Sequence, residues 1–136
     1  MTDAELVAKR LGLIDAYVQD LRTLGNPDNL GSDLREQRFT LHTLQLAAQA
    51  ALDVASHIVS DDDLGEPATN RELFDLLARH GWIVPPLAAK LKDIAGFRNI
   101  VVHGYADVDL AVVEDVVRNR LDDLLEFAGA IRSRLP

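Results

Sequence analysis

Apolar residues return at the spacing of a helix face along nearly all of this chain, and no segment alternates at the spacing of a strand. From Ala4 to Leu24 they fall at Leu6, Val7, Leu11, Leu13, Ile14, Val18, Leu21 and Leu24. That recurrence predicts an amphipathic helix, which Gly25-Asn26-Pro27 ends. A second helix is expected from about Leu34 to Val59. Its alanine-rich stretch, Ala47 to Ala55, lets another helix come close, either within the subunit or across a subunit interface. A third is expected over about Asn70 to Arg79, with Thr69 as N-cap, Glu72 completing a capping box and Gly81 as the stop. Pro85-Pro86 opens a fourth that runs to about His103. Asp107-Val108-Asp109 caps a fifth, from about Leu110 to Leu135. With short connections between them, these segments predict an all-α fold. The expected form is a compact bundle of about five helices, one domain over residues 1–136.

The composition narrows what such a bundle can do. At 136 residues and 48% apolar, the chain can bury a core of its own. It has no cysteine, which excludes a disulfide scaffold, thiolate chemistry and cysteine metal ligands. No basic and apolar leader opens it, and no apolar run approaches membrane-spanning length, so a cytoplasmic protein off the membrane is expected. The formal net charge of −8 argues against a broad nucleic-acid footprint, because nonspecific affinity comes from neutralising phosphates. A site acting on RNA would have to be local, or assembled between subunits. An acidic body can also dock on a basic partner.

The chemistry is concentrated in Arg98-Asn99-Ile100-Val101-Val102-His103-Gly104-Tyr105. Each of three side chains suits a phosphodiester. Arg98 carries a permanent charge on a fork that matches two phosphate oxygens. His103 exchanges a proton near neutral pH. Tyr105 offers a hydroxyl that can donate to, or attack, a phosphoryl group. On an ideal helix Arg98 and Tyr105 share a face, but His103 lies about 140° from Arg98. The three converge only if the helix turns at its end, and Gly104 supplies that end. Spacing alone leaves a second reading open, a helix C-terminus with a dipole-favoured histidine and a surface arginine.

Other polar groups form weaker patterns. Asp53 and His57 lie four apart on one helix face, as a pair of metal ligands or a hydrogen-bonded pair. Two ligands without a third make no metal site, so they read as a polar pair near the interface that supports the motif. Asp61-Asp62-Asp63 lacks the ligand alternation of a calcium loop and reads as a solvated turn. His42 and His80 read as surface residues, and Trp82 as core or interface. Arg118 and Arg120 either extend a phosphate-binding rim or form ion pairs with Glu114, Asp122 or Asp123.

Phe97 to Tyr105, followed by Asp107-Val108-Asp109, resembles the signature of the HepT-like toxins of the HEPN superfamily. Leu44 to Ile58 is similar to their central helix, and Glu72-Leu73-Phe74 through Trp82, Ile83 and Leu87 to the segment before the motif. The resemblance extends over roughly Leu6 to Leu125. It implies a helical bundle, a homodimer whose two motif helices face one cleft, and an endoribonuclease that works without metal or cofactor. It also implies a partner, a nucleotidyltransferase antitoxin of the MNT type, which forms a hetero-oligomer with the toxin and silences it by transferring AMP to the motif tyrosine. By position, Arg98 and His103 match the catalytic pair, Asn99 the companion of the arginine, and Tyr105 the modified tyrosine. Tyr105 then either orients substrate or accepts the nucleotide. The alternative function is a noncatalytic nucleotide- or substrate-binding subunit of a nucleotidyltransferase pair. A third is a bare dimerisation bundle.

Overall fold

The computed structural model describes residues 3–99 and 108–136. Helix α1 (Ala4–Leu24) begins at Asp3, whose carboxylate accepts from the Leu6 amide at 3.2 Å. It buries Val7, Leu11, Ile14, Val18 and Leu21, a seam of alternating four- and three-residue steps. Gly25 ends it for a steric reason. A Cβ there would stand 2.6 Å from the Leu21 carbonyl oxygen, so any larger residue would displace the backbone. A short 3-10 turn (Pro27–Asn29) leads to the second helix.

Helix α2 (Leu34–Asp61) is the spine of the bundle. Its 28 residues, about 42 Å of rise, touch α1 and each of the elements from residue 72 to residue 99. A helix packed on several sides needs small residues, and Ala47, Ala48, Ala50, Ala51 and Ala55 are all buried within this one chain. The alanine stretch therefore serves packing inside the subunit.

Helix α3 (Glu72–Arg79) starts differently from the expectation. Thr69 does not cap it with its side chain. A tight turn precedes it instead, in which the amides of Glu72, Leu73 and Phe74 donate to the carbonyls three residues earlier. Within that turn the Glu72 carboxylate reaches back one residue further than a capping box does, to the Ala68 amide at 2.6 Å. The stop is as expected. Gly81 adopts φ +79°, and the Trp82 and Gly81 amides donate to the Leu77 and Ala78 carbonyls, the paired bonds of a Schellman motif.

Helix α4 (Pro85–Ala95) buries Leu87, Ala88, Leu91, Ile94 and Ala95. The helix is expected to run to about His103; its α geometry tightens at Gly96 into a 3-10 turn (Gly96–Asn99), and the expected end at His103 lies outside the described residues. The last rod runs from α5 (Leu110–Asp115) through a π turn (Val116–Arg120) into α6 (Leu121–Arg134). The expectation was one uninterrupted helix. Along this rod the next fully buried residue is never more than three positions away, except between Val116 and Leu121, a gap of five. The wider turn absorbs that gap and keeps both halves facing the core. Asp109 caps the rod by accepting from the Ala111 amide at 3.0 Å.

Among the described residues five helical rods enclose one apolar core, and no strand occurs. Phe74 of α3 meets Phe127 of α6 edge to face, with ring centroids 5.8 Å apart and planes at 87°. Trp82 is buried beneath Arg134, whose guanidinium carbon stands 5.1 Å from the ring centroid. His42 and His80 are exposed, as expected. No helix among the described residues is long and apolar enough to cross a membrane.

Candidate functional site

The site grows out of the change from α to 3-10 geometry after Ala95. Phe97 anchors the turn by packing on the core, and the next residue, Arg98, is held half-buried above α2. A 3-10 turn advances about 120° per residue rather than 100°, so ideal-helix angles do not describe how Arg98 faces its neighbours. Asn99 is the last residue of the turn. His103, Gly104 and Tyr105 lie outside the described residues.

Arg98 is fixed from behind. Its Nε–H donates to Gln49 Oε1 at 2.8 Å. One turn further along α2, the Gln49 amide nitrogen donates to Asp53 Oδ1 at 2.8 Å. The other oxygen of Asp53 accepts from Arg10 Nη1 of α1 at 3.2 Å. A guanidinium presents one edge through Nε and another through its two terminal nitrogens. Gln49 takes the first edge. The terminal pair, which suits two oxygens of a phosphate or carboxylate, meets no acidic side chain among the described residues.

This relay separates two residues expected to act together. Asp53 spends its oxygens on Gln49 and Arg10 and does not hold His57. His57 Nε2 instead lies 3.0 Å from Asp61 Oδ2, the next carboxylate along the same face, without the alignment of a hydrogen bond. Asp53 and His57 therefore belong to different clusters. No group of three histidine or acidic residues suited to a metal ion occurs among the described residues.

Arg118 and Arg120 are engaged elsewhere. Arg118 bridges Asp28 and Glu114, and these two hydrogen bonds, Asp28 first, raise its pKa above the ordinary arginine value. Arg120 meets Asp93 at 3.2 Å and Asp123 at 3.8 Å. Neither is a spare cation. Arg71 is the residue that sequence reasoning passed over: its Nη2 stands 3.2 Å from where a Cβ on Gly96 would be. The exposed guanidinium comes against the backbone at the start of the turn that carries Arg98, with no acidic partner among the described residues.

Residues 11–131 match the family model described as ribonuclease HepT-like. The chain belongs to that family. It is 30% identical over 130 residues to the mRNA nuclease HepT of Shewanella oneidensis, covering 95% of this chain and 98% of the relative. It is 36% identical over 113 residues to the tRNA nuclease HepT of Aphanizomenon flos-aquae, covering 80% and 77%. Among solved structures, it superimposes with a TM-score of 0.86 and 30% identity on the tri-AMPylated Shewanella oneidensis HEPN toxin in complex with MNT antitoxin, over 98% of this chain and all of that one. A toxin–antitoxin complex with AMP-PNP gives a TM-score of 0.89 at 29% identity, over 96% and 99%. YutE of Bacillus subtilis, at 16% identity and a TM-score of 0.87, shares the fold alone.

For a HepT-like chain, the glutamine that holds Arg98 had a sequence signal of its own. Gln49, Asp53, His57 and Asp61 repeat at four-residue spacing, a half-buried polar stripe along an otherwise apolar helix. Arg10 had no such signal, because it lies on another helix and meets Asp53 only through packing.

Proposed function

We propose that this chain, acting over its whole length of 136 residues, is the toxin of a toxin–antitoxin pair and an endoribonuclease of the cytoplasm. Its antitoxin is a nucleotidyltransferase of the MNT type, which silences it by nucleotidylation of Tyr105. The observation that carries this reading is the half-buried Arg98, clamped through Nε by Gln49 and with no acidic side chain paired to its terminal nitrogens among the described residues, in a chain similar to two HepT nucleases.

RNA supplies its own nucleophile. The 2′-oxygen attacks the adjacent phosphorus, its proton leaves to a base, and the bond from phosphorus to the 5′-oxygen breaks as that oxygen takes a proton from an acid. The products are a 2′,3′-cyclic phosphate and a 5′-hydroxyl. Arg98 supports the two nonbridging oxygens as their charge grows. His103 is the proton carrier, because an imidazole exchanges a proton near neutral pH. One imidazole cannot take and give a proton at the same instant. A homodimer supplies a second His103, which explains why the site suits a subunit interface. A bulky anionic AMP on Tyr105, close in sequence to Arg98, would occupy the same phosphate-binding space.

The test is cleavage of a labelled RNA in EDTA by the purified protein beside His103→Ala. The wild type is expected to cut and leave cyclic phosphate ends, the variant to lose about 100-fold or more, and an all-deoxy strand to stay intact. A cut all-deoxy strand would refute the 2′-hydroxyl mechanism. If the wild type cuts nothing, its intact mass decides. Added AMP means a silenced toxin, whereas an unmodified inert protein would make the chain a noncatalytic nucleotide- or substrate-binding subunit.

Arg71 is read as an outer phosphate contact. Arg71→Ala is expected to weaken RNA binding about 2- to 5-fold at 0.1 M salt and to flatten the logarithmic salt dependence by about 0.7. Its cleavage rate at saturating RNA should be unchanged. Fluorescence anisotropy across a salt series, beside single-turnover cleavage, measures both.

A further inference from the structure

We propose that Gln49 is a positioning residue for Arg98, and that Asp53, held by Arg10, locks the Gln49 amide in the one orientation that does this. The inference rests on the ribonuclease reading for its catalytic consequence, but the clamp is a property of the folded chain.

A glutamine amide has one accepting end and one donating end. Only the oxygen can receive Arg98 Nε–H, and it does so at 2.8 Å. Were the amide turned over, its N–H groups would face the Arg98 N–H, donor against donor. Asp53 prevents this by accepting from the amide nitrogen at 2.8 Å. Arg10 contacts the second carboxylate oxygen at 3.2 Å, which keeps Asp53 turned toward Gln49 and offsets its charge. Three elements are therefore joined in one relay: α1 through Arg10, α2 through Gln49 and Asp53, and the 3-10 turn through Arg98.

The neutrality of the holding group matters as much as its position. A carboxylate at position 49 would hold Nε–H equally well, yet it would offset part of the arginine charge that attracts a phosphate and would face the Asp53 carboxylate across the same short gap. The glutamine carbonyl orients the fork while leaving that charge available. Asp53 is thus kept one residue removed from Arg98, and the opposite charges of Arg10 and Asp53 pair with each other.

The test reads the clamp and the chemistry separately. The Arg98 Nε–H signal is followed by nitrogen–proton NMR on the full-length protein without RNA, assigned by its loss in Arg98→Lys. Cleavage of labelled RNA is measured in parallel. Gln49→Met keeps the length of the side chain and removes its acceptor. It is expected to lose the exchange protection of the Arg98 Nε–H and to lower kcat about 10- to 100-fold with a smaller change in KM. Gln49→Glu should restore the protection and much of kcat while raising KM, which a merely structural role would not produce. Unchanged protection in Gln49→Met overturns the clamp. Lost protection with wild-type cleavage overturns the positioning role. If Gln49→Met fails to fold, Gln49→Glu carries the test, and a KM equal to wild type overturns the argument from charge. A wild type that is unmodified and cuts nothing while its Nε–H stays protected sinks the ribonuclease reading and supports the clamp.

Discussion

Arg98→Lys is expected to lower RNA cleavage by on the order of 100-fold or more while costing no more than about 1 kcal/mol of stability. Lysine keeps the charge, so a site that needed only a cation would tolerate the change. It loses two other things. The first is the Nε–H that Gln49 holds at 2.8 Å, without which the side chain is no longer oriented. The second is the planar pair of terminal donors that meets two phosphate oxygens together. The cost to the fold is small because Arg98 is only half-buried and gives up one hydrogen bond. Single-turnover cleavage beside urea denaturation separates the two effects. Cleavage within about threefold of wild type would show that a point charge suffices and would remove the fork from the mechanism.

Phe127→Ala is expected to cost about 3–5 kcal/mol of folding stability. Phe127 is fully buried on α6 and meets Phe74 of α3 edge to face at 5.8 Å. Truncation removes the transfer free energy of the ring, leaves a cavity between two helices and deletes an aromatic pair worth about 0.5–1.5 kcal/mol. A domain of this size is stable by about 5–15 kcal/mol, so the variant sits near the threshold of folding. Urea denaturation midpoints give the difference directly. Phe127→Leu, which refills most of the volume, should recover much of the loss. A cost below about 1 kcal/mol would mean that α3 and α6 close over the space, and that their packing is far more plastic than a buried aromatic pair implies.

The salt links along the bundle rim carry less weight. Arg22 with Asp122, Arg132 with Asp15 and Lys92 with Asp75 tie neighbouring rods, but all are partly or largely exposed and each contributes at most about 1 kcal/mol. They fix how surface side chains lie. The buried seams decide whether the rods stay together.

Much of this molecule was legible without coordinates. The bounds of α1, the start of α2, the proline entry to α4, the Gly81 stop and the Asp109 cap all follow from residues within a turn of each other. Apolar spacing reports which face of a helix is buried, and that is a local property. The likeness of the motif and of the central helix to HepT-like sequences was legible for the same reason, since it lies in contiguous residues. Where local signals compete, sequence reading slipped. The tight turn before Glu72 replaced the Thr69 cap, and the five-residue gap after Val116 produced a π turn inside an otherwise regular helix.

The sequence by itself determined a helical fold and the order of its elements, because helices are encoded by periodicity and caps within a few residues, and it singled out Arg98 as the arginine of the proposed site. Only the tertiary structure decided what that arginine touches. Arg10, Gln49 and Arg98 are separated by tens of residues, and no periodicity relates them. They meet because α1 packs along α2 and the 3-10 turn after α4 lands on the same face of α2. The same packing left Asp53 within reach of Gln49 and Arg10, and gave His57 to Asp61. A carboxylate four residues away on a helix is one of several partners a side chain can choose, and the choice falls to whichever neighbours the packed bundle brings closest.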